Sequence, residues 1–147
     1  MKIDKATLLD IPQLCILLDS LFSQEIEFKP NTQAQVDGLT TIIKNNEVGD
    51  VFVARQEGKI IGMINLLYTI STALGGKVAF LEDMVISSDS RGLGIGSKLI
   101  SYTTQYAKDN ECSRITLLTD YDNIQAHDFY RKHDFDLSSM VVFRKMI

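Results

Sequence analysis

An apolar, strand-like run from Val78 to Ile86 leads into Arg91-Gly92-Leu93-Gly94-Ile95-Gly96, and a helix-like run from Ser97 to Lys108 follows. Glycines at alternate positions leave the main-chain N–H groups unshielded by side chains and admit backbone angles that other residues resist. A loop of this kind opening onto a helix N-terminus is a seat for a phosphate or pyrophosphate, because unpaired amides and the helix dipole both favour negative charge there. The segment therefore predicts a strand–loop–helix unit that holds a ligand bearing a diphosphate.

Spacing narrows the ligand. A dinucleotide fingerprint needs Gly-x-Gly-x-x-Gly, and here Ser97 stands at the third glycine position, late in the chain and after an antiparallel region. A nucleoside-triphosphate loop needs Gly-x-x-x-x-Gly-Lys-Ser/Thr, and Lys98 has the wrong offset. The competing structural reading is a glycine turn that merely reverses the chain. Arg91 at its head and the good helix behind it favour a ligand site.

The bulk properties set the class. The 147 residues are 45% hydrophobic and 23% charged, as expected for one ordinary globular domain spanning residues 1–147. A net charge of −4 with no long basic run disfavours nucleic acid and acidic membranes as partners and mildly favours a cationic or amine partner. Cys15 and Cys112 lie far apart with no metal-ligand pattern around them, so reduced thiols and no bound metal are expected. Met1 to Asp10 has no apolar core of leader length, and Ile60 to Leu67 is too short to span a bilayer, which makes the expected location cytoplasmic.

Periodicity orders the elements. Lys2 to Ala6 reads as a strand. A helix follows with Asp10 as N-cap and Pro12 in its first turn, through Ile11, Leu14, Cys15, Leu18, Leu21 and Phe22. Thr32 to Asn45 is a second helix. Val51 to Arg55 and Lys59 to Ile70 flank the hairpin turn Glu57-Gly58, and Lys77 to Ser87 is a strand apolar on both faces. After the glycine loop and its helix come a strand at Arg114 to Leu118, a helix at Asp122 to Lys132 with Asp122 as its cap, and a strand at Met140 to Lys145.

Two motifs then coincide. Leu81-Glu82-Asp83-Met84-Val85-Ile86-Ser87-Ser88-Asp89-Ser90-Arg91-Gly92-Leu93-Gly94-Ile95-Gly96 resembles the acetyl-CoA-binding signature of the GCN5-related N-acetyltransferases (GNAT), with Arg91, Gly94 and Gly96 at its fixed positions and Gly92 matching a common variant. Asn123-Ile124-Gln125-Ala126-His127-Asp128-Phe129-Tyr130 resembles the Asn-x-x-Ala-x-x-Phe-Tyr helix of the same family. Two departures stand out: Ser88 where the family often has proline, and Asp134-Phe135 where it usually has Gly-Phe. The latter asks Asp134 for a left-handed conformation, which Asp tolerates at modest cost.

The resemblance implies an α/β fold with a mixed, mostly antiparallel sheet of roughly six to seven strands flanked by about four helices. It implies an enzyme that moves acetyl from acetyl-CoA directly to a primary amine of a small molecule or peptide, with no metal. The alternative is a catalytically silent CoA-binding regulatory module. A homodimer is left open. The amides from Leu93 to Ser97, including Ile95 and Gly96, would hold the CoA pyrophosphate, and the main chain at Met84, Val85 and Ile86 would pair with its pantetheine arm. Asn123 would contact the cofactor, with a helix cap as the rival reading. Tyr130 is the expected general acid, since a phenol of pKa about 10 keeps its proton at neutral pH and can pass it to a thiolate; the rival reading is a core aromatic packed beside Phe129.

Glu82 and Asp83 interrupt an apolar strand, where ionised groups are costly unless paired or used. Alternation sends them to opposite faces. The resemblance makes Glu82 the base, directly or through water, or the amine-orienting group, with a paired structural carboxylate as the rival reading, and leaves Asp83 a structural or substrate-binding role. Asp19, Glu25 and Glu27 would form an acidic lip for a cationic acceptor, with a solvated face as the rival reading. His127 and His133 read as surface residues of the Tyr130 helix, His127 within reach of the site.

Overall fold

The computed structural model describes residues 1–25 and 29–147. Five strands of the described chain form one sheet in the order β1-β2-β3-β4-β5. β1 (Lys2–Lys5), β2 (Gly49–Gln56), β3 (Lys59–Ser71) and β4 (Gly76–Ile86) are antiparallel neighbours, and β5 (Ile115–Leu117) joins β4 in parallel. The helices are α1 (Ile11–Phe22), α2 (Thr32–Lys44), α3 (Ile95–Asp109) and α4 (Ile124–Lys132). No described helix is long and apolar enough to cross a membrane.

Strand alternation divides the core into two layers. Val51 and Val53 of β2 face α1 and α2, where they pack with Leu14, Leu18 and Leu39. Phe52 and Ala54 face the other way, onto Leu99 and Ile100 of α3, and Phe129 and Tyr130 of α4 join that layer. The β2–β3 turn has Glu57 at φ 49° and Gly58 at φ 77°, the left-handed pair that matches strand twist in a two-residue hairpin. Both cysteines are free, Cys15 buried and Cys112 half-buried.

The structure departs from expectation in several places. No strand forms at Met140 to Lys145, so the described sheet has five strands rather than six to seven. The apolar, β-forming character of that segment is local, whereas a strand also needs a sheet edge to receive its backbone bonds. α4 begins at Ile124 with Asn123, not Asp122, as its N-cap, and the Asn123 side chain accepts the Ala126 N–H at 3.1 Å. Asp10 holds the expected N-cap position of α1, but its side chain makes no cap bond there.

Asp10 is engaged elsewhere. Its carboxylate accepts the Thr7 N–H at 2.7 Å and both terminal nitrogens of Arg55, at 2.8 and 2.7 Å. Arg55 also donates through Nε to Asp4 at 2.8 Å. One guanidinium on β2 thus ties β1 to the start of α1. Its hydrogen bonds hold the Asp10 carboxyl below the usual carboxylate range, against the opposing effect of burial. A carboxyl depressed in the folded state stabilises the fold above its unfolded pKa, and that contribution disappears as pH falls through the folded value.

Arg55→Met leaves Asp10 charged, largely buried and without its cation, and should lower unfolding free energy by about 3 kcal/mol near neutral pH. Denaturant melts at pH 7 and pH 3 test this. The difference between wild type and variant should shrink at pH 3, and an equal difference at both values excludes the ion pair as its source.

Candidate active site

β4 and β5 part company. Their pairing runs Ala79 with Ile115, Phe80 with Thr116 and Leu81 with Leu117, and stops. β4 continues to Ile86, held on its other side by β3 through Met63 opposite Val85 and Gly62 opposite Ile86. Among the described residues, the outer main chain of Glu82 to Ile86 therefore has no strand partner. Met84, Val85 and Ile86 all lie in this stretch. The Val85 side chain is buried under α1, while Met84 and Ile86 are half-buried on the α3 side.

A bulge sits at the head of the opening. Asn65 pairs with Glu82 but Met63 pairs with Val85, so β4 carries one more residue than β3 between those pairs. Asp83 takes up the excess with φ 51°. The expectation that Glu82 and Asp83 point to opposite faces by simple alternation therefore fails, because a left-handed residue breaks the alternation. Glu82 is exposed. Asp83 is half-buried and accepts a hydrogen bond from Asn65 Nδ2 at 2.8 Å.

Below the bulge the chain turns through Ser88–Ser90 into the glycine loop. Arg91 folds back and donates through Nε to the Ile86 carbonyl at 3.3 Å. Gly92 and Gly94 have φ 77° and 76°, and open space lies where their side chains would begin. Gly94 is the N-cap of α3, so the first amides of a 15-residue helix open onto that space. Leu93 is exposed, and Ile95 buries its side chain and can offer only its main chain. Gly96 serves packing: a Cβ there would lie 3.2 Å from the Met84 methyl and 3.4 Å from Phe129 Cζ. Ser97 Oγ lies 3.0 Å from His133 Nε2, joining the start of α3 to the end of α4. Two left-handed glycines and a helix N-terminus suit an anionic diphosphate such as that of CoA.

α4 lays its aromatic pair against this unit. Tyr130 Oη lies 4.0 Å from Met84 Sδ, and burial pushes the phenol pKa above its ordinary value. The Asn123 carbonyl oxygen is engaged in capping α4, which leaves its side-chain NH2 as the donor it can offer. His127 Nε2 lies 3.0 Å from the Asp120 carbonyl. Asp134 has φ 65°, the left-handed conformation expected of it after α4.

Carboxylates gather at the opposite end of the opening. Burial raises the Glu25 pKa, and the charges of Asp83, Asp120 and Glu82 raise it further, with Arg144 opposing them. Burial and then the Glu82 charge push Asp83 up to about 6, against the hydrogen bond from Asn65. Asp19 accepts from Gln35 Nε2 at 3.0 Å, and Glu27 lies outside the described residues. A cleft of about 280 Å³ between α1, α2 and the sheet is lined by Leu18, Phe22, Gln35, Leu39, Asn65 and Asp83, among others. Asn65 is 2% exposed, and its Oδ1 has no hydrogen-bond partner among the described residues. A buried acceptor left so costs about 1–3 kcal/mol.

Asn65 escaped sequence reasoning. The available signal was a lone amide inside the apolar run Ile60 to Leu67. Sequence alone does not single out Asp83, because only the strand register reveals which carboxylate the bulge turns inward.

Comparison with known proteins places this geometry. Residues 16–135 match the model of the acetyltransferase (GNAT) family. The chain is 26% identical over 119 residues to YhfO of Bacillus subtilis, described as an uncharacterized N-acetyltransferase, with 79% of each protein covered. It is 29% identical over 100 residues to streptothricin acetyltransferase A of the same organism, covering 62% of this chain and 56% of that protein, so it spans little more than half of that relative. The fold superimposes on glucosamine-6-phosphate N-acetyltransferase from Arabidopsis thaliana with a TM-score of 0.79 at 21% identity, over 99% of this chain and 98% of that one.

Gly94→Glu puts bulk and negative charge at the head of α3 and should weaken acetyl-CoA binding on the order of 100-fold or more, about 2.8 kcal/mol. Calorimetric titration reads this. Gly58→Glu, at nearly the same φ in the β2–β3 turn, should bind as wild type does. Equal affinity of Gly94→Glu and wild type rules out the loop as the seat of the diphosphate.

Proposed function

This chain belongs to the acetyltransferase (GNAT) family, and we propose on that premise that it transfers acetyl from acetyl-CoA directly to a primary amine carried by a small molecule or a peptide. The observation that carries the reading is the parting of β4 from β5, with an anion cradle at one end, a carboxylate cluster at the other, and the Tyr130 hydroxyl against Met84 between them. Acetyl-CoA supplies an already activated thioester, so the protein's task is placement and proton management.

The amides from Gly92 to Ser97 hold the diphosphate. The unpaired main chain of Met84 to Ile86 takes the pantetheine arm as a further strand, and Asn123 steadies that arm through its side-chain NH2. The carboxylates of Glu25, Glu82, Asp83 and Asp120 favour an acceptor that arrives as an ammonium ion. Asp83 is the anchor for that ion. Its buried position strengthens the attraction, and an N–H donor beside it also meets the unpartnered Asn65 Oδ1. The apolar side chains of Leu18, Phe22 and Leu39 receive an aliphatic arm of the acceptor.

The ammonium loses one proton to Glu82, which is exposed and can pass it to solvent. The neutral nitrogen attacks the thioester carbonyl carbon, the N–C bond forms and the C–S bond breaks. Tyr130 gives its phenolic proton to the leaving sulfur, and the second proton, which the nitrogen sheds on becoming an amide, restores the phenol by way of solvent. Burial raises the Tyr130 pKa, so the phenol arrives protonated throughout the neutral range. Neither cysteine lies among these residues, which fits transfer without an acyl-enzyme.

Tyr130→Phe should lower kcat by about 10²–10⁴-fold, the usual contribution of a placed acid, while leaving acetyl-CoA affinity unchanged. Thiol release with an amine panel measures the first quantity and titration the second. An unchanged kcat excludes Tyr130 as the acid. Tight CoA binding by the wild type with no thiol released for any amine would instead identify a silent CoA-binding module.

Asp83 gives a separate signature. Its carboxyl titrates near pH 6 and must be charged to hold an ammonium. Wild-type kcat/KM for the amine should fall as pH drops through about 6, and Asp83→Asn should lose that limb and raise the amine KM. A limb that persists in Asp83→Asn assigns it to another group.

A further inference from the structure

The side chain of Ser97 meets a partner that the glycine loop does not require. α3 begins at Ile95, and the Lys98 N–H donates to the Gly94 carbonyl at 3.2 Å as the helix closes its first turn. The N–H groups of Ile95, Gly96 and Ser97 come before that bond and have no acceptor within the helix. Ser97 is the third helical residue, and side chains lean toward the N-terminus of their helix, so its hydroxyl leans toward the opening that these amides face. There His133 Nε2, from the end of α4, lies 3.0 Å from Ser97 Oγ.

The His133 ring is held for this contact. Its main-chain N–H donates to the Tyr130 carbonyl at 3.0 Å where α4 ends. Its ring packs at a tilt on Phe129, with centroids 4.8 Å apart, and Phe129 is the side chain that closes on Gly96. Ser97 and His133 are both half-buried.

We propose that His133 is a positioning residue for the acetyl donor: its Nε2–H donates to Ser97 Oγ and so frees the Ser97 proton to point at the CoA diphosphate. The inference rests on the glycine loop being the seat of that diphosphate. A serine hydroxyl carries one proton, and an ionised diphosphate offers only acceptors. If the Ser97 proton went to a bare Nε2, the hydroxyl would turn its lone pairs toward the anion. With the proton on Nε2, donation runs from His133 to Ser97 to phosphate. The neutral ring protonated at Nε2 and the imidazolium both meet this condition. Donation from the ring polarises the hydroxyl, and its bond to a charged acceptor is strengthened. A mere tether between α3 and α4 would hold with either direction of donation. Tyr130 and His133 lie three residues apart, neighbours along one side of α4. One helix thus sets the proton donor for the sulfur and the donor chain for the diphosphate.

Calorimetric titration at fixed, near-neutral pH reads the consequence. Ser97→Ala and His133→Leu should each weaken acetyl-CoA binding about 10-fold, the lower range for a hydrogen bond to a charged group. His133→Gln can place an N–H where Nε2 stood and should bind close to wild type. Ser97→Ala combined with His133→Leu should bind no worse than either alone, because His133 acts through Ser97. S-acetylpantetheine lacks the diphosphate and should bind wild type and His133→Leu equally. Nitrogen NMR of histidine-labelled wild type with CoA bound should show a proton on His133 Nε2. Unchanged acetyl-CoA affinity in His133→Leu overturns the inference. So do a His133→Gln no better than His133→Leu, additive losses in the double variant, an equal loss for S-acetylpantetheine, or a bare Nε2 in the CoA complex. If Gly94→Glu binds acetyl-CoA as wild type does, the loop assignment falls and this inference with it. Binding lost in Gly94→Glu but kept in His133→Leu overturns this inference alone.

Discussion

β4 runs 11 residues and β5 runs three, so the backbone of β4 beyond Leu81 faces outward with no described strand to receive it. Buried or half-buried peptide groups need partners, and a sheet that opens in this way asks for an extended ligand. On its other side β4 cannot drift, because β3 holds it as far as Ile86. The opening is thus a fixed gap rather than a frayed end. Its lower margin is the glycine loop and the first turn of α3, and its wall is the Phe129–Tyr130 pair of α4, brought close because Gly96 has no side chain.

The two ends of the gap differ in charge, and the difference comes from separate physical sources. At the loop end the field is positive because main-chain amides and a helix N-terminus point outward, a property of backbone geometry. At the bulge end it is negative because Glu25, Glu82, Asp83 and Asp120 crowd one another. Burial itself lifts the carboxyl of Asp83 toward neutrality, and the charge of Glu82 adds to it. Under the proposed function, this polarity would bring an anionic donor from one direction and a cationic acceptor from the other.

Much of this was legible in the sequence. The glycine spacing points to a diphosphate, and Gly92 and Gly94 lie in the left-handed region that glycine enters freely. Helices and strands fell where periodicity put them up to α4, because each buries one face against one layer. The errors share a cause. The strand expected at Met140 to Lys145, the alternation of Glu82 and Asp83, and the cap at Asp122 are each a contest between local preference and a partner. In each case the partner lies far away in sequence or differs by one position in register. Local preference made β structure at Val141 to Phe143 plausible, but hydrogen bonds to a neighbouring strand are what make a strand.

By itself the sequence determined the family, since the motifs that carry it are runs of consecutive residues whose identities can be read in order. The tertiary structure decided which carboxylate lies beside the buried amide. Asn65 and Asp83 are 18 positions apart and meet only because β3 and β4 pair with one residue to spare. That extra residue turns a carboxylate inward beside a buried amide, and no pattern within either strand predicts it. Register between strands depends on the packing of both layers at once, so which carboxylate faces the gap is a property of the folded sheet.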